Sequence, residues 1–345
     1  MRKLLVVMAA AVLATGLTAV ATRSSAGSAS SRAAQRAMTL RAHALFHKYM
    51  SSHAPLIRAK TSQSAGSAQV QGQAVRQAAA GNGVQPFPSV NWGGYADIET
   101  GSDTATGVSA DWTIPKVSCP AGKYRTQDAF ASQWVGLDGA ANGTVEQLGS
   151  GEQCYEGVLY YYVWYEMFPG GTVQEGTQAC INDNVGCPRP GDRISASVTT
   201  APGGAGVNNY TLALTDHGTR GNDFSVTQPC ATDTCLDQSA EWIIERPAFA
   251  LGDGFQILPL VYYGQNGFSN GTVTSGGQTT SIAGFSGGTV NDVLTLDDSL
   301  GYYLQCVGQH GPPGQILLSS DANACPVVAP THGGSSFTDT WDSSF

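Results

Sequence analysis

The chain has 345 residues, 12% of them charged, and a formal net charge of −9. Of its 17 Lys and Arg, 10 precede Asp97, whereas all 26 Asp and Glu lie from Asp97 onward, leaving seven bases against 26 acids there, a net of −19. A body this acidic is not a nucleic-acid partner, and its eight cysteines point to an oxidising compartment.

At the start, Arg2 and Lys3 precede a run of apolar and small residues, Leu4 to Ala21, which closes on an A-x-A pattern at 19–21. Thr15, Gly16 and Thr18 interrupt the run and no stop-transfer segment follows, whereas a spanning helix needs roughly 20 predominantly apolar residues. Residues 1–21 therefore read as a signal peptide. The mature chain is expected to be secreted and extracellular, with no membrane attachment after cleavage.

Residues 22–88 hold eight Lys and Arg, no Asp, Glu or Trp, and much Ala, Ser, Gln and Gly. Met38, Leu40, Leu45, Phe46 and Met50 fall at partly helical spacing. We read a basic pro-segment, removed on maturation, that clamps onto the acidic body as an intramolecular inhibitor. Acid would protonate the body's carboxylates and release it. A solvated Ala/Ser-rich spacer is the alternative.

From 89 to 345, short β-rich runs recur between Gly, Asn, Asp and Pro, with no long 3.6-residue period and no internal linker. They are 89–98, 107–114, 131–137, 158–167, 193–199, 209–215, 239–245, 255–263 and 293–296, with a closing strand over 335–341. The pattern predicts one all-β domain, a sandwich or barrel. The cysteines allow 105 pairings. Cys180–Cys187 and Cys230–Cys235 could close small loops, leaving Cys119–Cys154 and Cys306–Cys325. No C-x-x-C occurs, so zinc is not expected. Asn142, Asn209 and Asn270 each begin an N-x-T sequon.

Several chemistries lack their residues. His217, His310 and His332 sit in polar, Gly-flanked stretches, which leaves a Ser-His-Asp or Cys-His system without a base. H-E-x-x-H, P-loop, dinucleotide and D-[TS]-G motifs are absent. Neither metal nor cofactor is expected, so carboxylates, amides and backbone must do the chemistry. The acids beside aromatics are Asp138, Glu166, Glu241 and Glu245. By strand alternation Glu241, Ile243 and Glu245 share one face, as do Trp164 and Glu166. Burial among aromatics raises a carboxyl pKa, which suits a group that accepts and then donates a proton. Sheet-face glutamates paired with Arg or water are the plain alternative.

Seven pieces, in order, resemble the glutamic peptidase (eqolisin) family, whose type member is scytalidoglutamic peptidase. They are NWGG at 91–94, WTIP at 112–115, WVGLDG at 134–139, Gln147 with Gly149, WYE at 164–166, Gly191-Asp192 before Ile194, and AEWIIE at 240–245. The closing SFTDTW at 336–341 extends the likeness. The resemblance implies an antiparallel β-sandwich of two packed sheets, of concanavalin A-like or jelly-roll type, with a concave substrate groove. It also implies a pepstatin-insensitive acid endopeptidase, made as a zymogen, that acts on proteins and peptides. By position Gln147 and Glu245 are the catalytic dyad, while Trp92, Trp134, Asp138 and Glu166 match groove or supporting positions. Glu241, on the face of Glu245, joins them as a substrate-binding candidate. We expect a monomer.

This sequence departs from the family pattern at Met167 (Trp in fungal members), at Gly151 (Asp, four residues after the catalytic Gln) and at Glu146 (usually apolar). A carbohydrate-binding or glycoside-hydrolysing sandwich is the competing reading, because paired Glu on aromatic platforms also describe a glycosidase. Sugar hydrolysis has no evident use for Gln147.

Overall fold

The computed structural model describes residues 85–295, 322–326 and 335–344, with short breaks at 90, 120–128, 156, 182–187, 202–207, 219–221, 233–234, 252–253 and 258–259. The signal peptide, all but the end of the pro-segment, and the cysteines at 187 and 306 lie outside them. Among the described residues, regular structure is almost all strand. β1 (Gln85–Ser89), β2 (Trp92–Glu99), β3 (Ala105–Thr113), β4 (Ala129–Leu137), β5 (Val145–Tyr155) and β6 (Val158–Phe168) come first. β7 (Thr172–Ile181), β8 (Arg193–Ala201), β9 (Asn209–Asp216), β10 (Phe224–Pro229), β11 (Ser239–Glu245) and β12 (Ala248–Leu251) follow. The last are β13 (Gly254–Ile257), β14 (Gln265–Ser275), β15 (Gln278–Ser281), β16 (Gly288–Thr295), β17 (Ala322–Pro326) and β18 (Phe337–Ser344).

Hydrogen bonding runs β10-β9-β8-β3-β14-β18-β17-β16-β2-β11-β4-β5-β6-β7, with β1 beside β16 and β15 beside β14. This ladder doubles back into a sandwich of two packed antiparallel sheets. Among the described residues, Thr295 of β16 pairs with Ala324 of β17 where the ladder turns. Face-to-face packing is fixed by tryptophans: Trp242 Nε1 on β11 donates to the Ser109 carbonyl on β3 at 2.9 Å, and Trp112 Nε1 on β3 to Ser150 Oγ on β5 at 2.9 Å. Between the sheets lie Tyr95, Val108, Trp112, Val135, Leu148, Val198, Leu212, Trp242 and Ile244, all buried. Burying such side chains stabilises by roughly 1.5–3 kcal/mol each, more for the indoles.

Two expected disulfides are present, Cys119–Cys154 and Cys230–Cys235. The parallel pairing of β1 with β16 begins at Gln85, upstream of the expected boundary at 89. Among the described residues of the expected strand 255–263, β13 ends at Ile257 and isolated bridges follow at Leu260 and Tyr262. Pro259 interrupts that run, and proline has no N–H for a ladder.

Candidate active site

The outward face of β2, β11, β4, β5 and β6 carries a second apolar cluster containing Trp92, Ala96, Trp134, Tyr162, Trp164 and Ile243. Register orders it in three rows. One reads Ala96, Glu241, Gly136, Gln147, Glu166 and Thr172. The next reads Gly94, Ile243, Trp134, Gly149 and Trp164, and the third Trp92, Glu245, Ser132, Gly151 and Tyr162. Side chains alternate faces along a strand, so every member shares this face. The expected alternation holds: Ile243 lies here, while Trp242 and Ile244 turn into the core.

Gln147 and Glu245 are thus on one face but not in one row. Glu241 is level with Gln147 across Gly136, about 10 Å away at the backbone for two strand spacings. Glu245 stands four residues along β11, about 13 Å further, with the Trp134 row between. Gln147, Glu166, Glu241, Glu245, Trp92 and Trp134 all have 0% exposure, so the face is closed.

Trp134 is the hinge of the arrangement. Its Nε1 donates to Glu245 Oε2 at 2.9 Å, and its ring meets Trp92 edge to face at a centroid distance of 4.8 Å. β5 can run beside it because Gly149 has no side chain: a Cβ there would collide with the Gln133 carbonyl and come within 2.7 Å of Trp134 Cβ. Trp164 Nε1 donates to Ser132 Oγ at 3.0 Å, and Ser132 Oγ donates to the Ser150 carbonyl at 2.7 Å. Thr172 Oγ1 donates to Glu166 Oε2 at 3.1 Å.

Asp138 has a different place from the rest. It is left-handed, φ 67°, at the turn after β4, and accepts backbone N–H bonds from Leu236, Asp237 and Gln238 at 2.7–2.9 Å and Asn142 Nδ2 at 2.6 Å. Such a carboxylate pins the 236–238 segment beneath the end of β11. Around it gather Glu146, Asp237 and Glu241. Burial, then the charges of Asp138, Asp237 and Glu241, hold Glu146 well above the usual carboxyl range. Burial also raises Glu241 strongly, opposed by the Ser239 hydroxyl and supported by Asp138. Asp237 is pushed to about 6 by burial and Asp138, against hydrogen bonds from Tyr210 (2.6 Å) and Asn208 (2.9 Å). Acids with raised pKa values are neutral in acid, so the cluster is settled at low pH.

The departures now have positions. Met167 turns into the inter-sheet core, away from this face. Glu146 also points off it, toward the Asp138 turn. Gly151 lies on it, beneath Tyr162. Two residues that were not anticipated also emerge: Tyr162, and Glu152 on the core side, buried and pushed to about 8 by that burial despite a hydrogen bond from Ser150. Glu152 directly follows Gly151, one position after the place where the family pattern has its Asp. Glu146 also lies close to Cys230 and Cys235, but those sulfurs form a disulfide and offer no thiolate. His217 Nε2 sits 2.8 Å from Ser195 Oγ on the other sheet. His310 and His332 lie outside the described residues.

The peptidase A4 family model matches residues 90–306. Aspergillopepsin-2 of Aspergillus niger is 30% identical over 224 residues, covering 59% of this chain and 70% of its own. The crystal structure of aspergilloglutamic peptidase from Aspergillus niger aligns with 62% of this chain and 99% of its own, at 21% identity and a TM-score of 0.36.

Proposed function

The chain belongs to the peptidase A4 family and is a glutamic-type endopeptidase, and on that premise we propose that Gln147 and Glu245 form its catalytic dyad. Glu245, as carboxylate, takes a proton from a bound water, which attacks the scissile carbonyl. The Gln147 amide N–H donates to the oxygen that becomes negative, worth roughly 2.7–4 kcal/mol for one such donor. Glu245 then passes the proton to the departing nitrogen. An amide stays neutral at every pH, so acid does not silence it.

The observation that carries this reading is the Trp134 indole N–H on Glu245 Oε2. It fixes one carboxylate oxygen on the face that holds Gln147. Glu241, though level with Gln147, stands among Asp138 and Asp97, and burial with their charges raises its pKa well above the usual carboxyl range. The dyad reading requires one bound peptide to reach both Gln147 and Glu245 across the Trp134 row. Trp92, Trp134, Glu166 and Glu241 contact the peptide, and Asp138 acts through the turn it holds.

Secretion and a zymogen follow from the sequence: a signal peptide, then a segment without acids ahead of an acidic body. An acid digest of a denatured protein, with and without pepstatin and read by mass spectrometry, tests the function. Peptide products that persist with pepstatin are expected. Reducing sugar released from polysaccharide with no protein cleaved would overturn it. Cleavage by a chain that keeps residues 22–88 would overturn inhibition by the pro-segment.

A further inference from the structure

Gly151 and Tyr162 face each other across β5 and β6 in the row of Glu245. A Cβ on Gly151 would overlap the far end of the Tyr162 ring and its hydroxyl. The phenol therefore lies back over β5 toward β4 and β11, filling a slot that exists only because position 151 lacks a side chain. Next in that row, Ser132 has its hydroxyl hydrogen committed to the Ser150 carbonyl and its oxygen occupied by Trp164 Nε1. Beyond Ser132 stands Glu245, held by the indole of Trp134, two residues along β4 from Ser132.

We propose that Tyr162 is a positioning residue for Glu245: its hydroxyl, carried across Gly151, donates toward the carboxylate that the Trp134 indole also holds, or toward its water. The inference rests on Glu245 being the general base. A phenol is suited to the place, because a buried Tyr stays protonated throughout the acid range, whereas an acidic side chain there would change charge within it. Tyr162 is 1% exposed, and burial above all holds its proton.

The test compares kcat and KM against pH for the acid-activated full chain, Tyr162→Phe and Glu245→Gln. The Phe variant keeps the ring in its slot and removes only the hydroxyl. Loss of a donor disfavours the carboxylate, so the acid limb of kcat should move up by about half a pH unit or more and kcat fall roughly tenfold, with KM little changed. A Tyr162→Phe profile superimposable on wild type, with Glu245→Gln inactive, overturns the proposal while leaving the dyad intact. An active Glu245→Gln overturns both. If the Phe variant does not fold, 3,5-difluorotyrosine at 162, a stronger donor of the same shape, should move the limb down. An unmoved limb there refutes the role.

Discussion

Trp134 and Glu245 are joined by an indole N–H bond of 2.9 Å between adjacent strands, both ends wholly buried. A hydrogen bond to a charged group is worth about 1.5–3 kcal/mol. Trp134→Phe should keep much of the edge contact with Trp92 and lose this donor. The expected result is a kcat lower by roughly 10- to 100-fold with a smaller change in KM, read from steady-state kinetics in acid.

The buried acids set the direction of pH dependence. A carboxyl whose folded pKa exceeds its unfolded value contributes stability that is present below the unfolded value and lost as pH rises through the folded one. For Asp237 that window runs from about 4 to about 6, and for Glu152 from about 4.5 to about 8. Asp111 works oppositely: despite burial, Ser195, Asn270 and Arg193 hold it low, and its contribution fades only as pH falls below 3.8. Thermal melts should give a Tm highest near pH 4 and falling toward pH 8. Glu152→Gln should change Tm little at pH 4 and raise it at pH 8, at about 2–4 °C per kcal/mol.

Gly149 is held by contact. Gly149→Ala should destabilise the fold by about 1–3 kcal/mol or more and displace Trp134, abolishing activity. Gly101, with nothing near a Cβ, is the control: Gly101→Ala should stay within about 0.5 kcal/mol of wild type in denaturant titration.

The two disulfides close loops of different size, 35 and 5 residues. Chain entropy assigns roughly 4 kcal/mol to the first and 2 to the second. Removing Cys119–Cys154 by paired Ser substitution should therefore lower the denaturation midpoint more than removing Cys230–Cys235.

Strands with apolar or β-branched alternation, such as β3, β8, β9 and β11, were legible within a few residues. β5 was not. Its VEQLGSGEQCY reads as a loop, with two glycines and few strand-formers, because the bulk that makes it a strand comes from Trp134 and Tyr162 on its neighbours. The faces of Glu241 and Glu245 followed from period-two geometry. Gln147 was identified only by resemblance, since one amide in a glycine-rich stretch has no local signature. Register was hidden altogether, and with it the level pairing of Gln147 and Glu241, the seat of Tyr162 over Gly151, and the capture of Asp138 by the 236–238 backbone.

That pairing makes the decisive comparison one between two glutamates on the same strand face. Acid proteolysis by Gln147→Ala, Glu245→Gln and Glu241→Gln, each shown folded by its melt, tests the dyad most directly. The account predicts a loss of roughly 10²–10³ in kcat for Gln147→Ala, no measurable turnover for Glu245→Gln, and retained turnover for Glu241→Gln. Turnover by Glu245→Gln together with an inactive Glu241→Gln would contradict it.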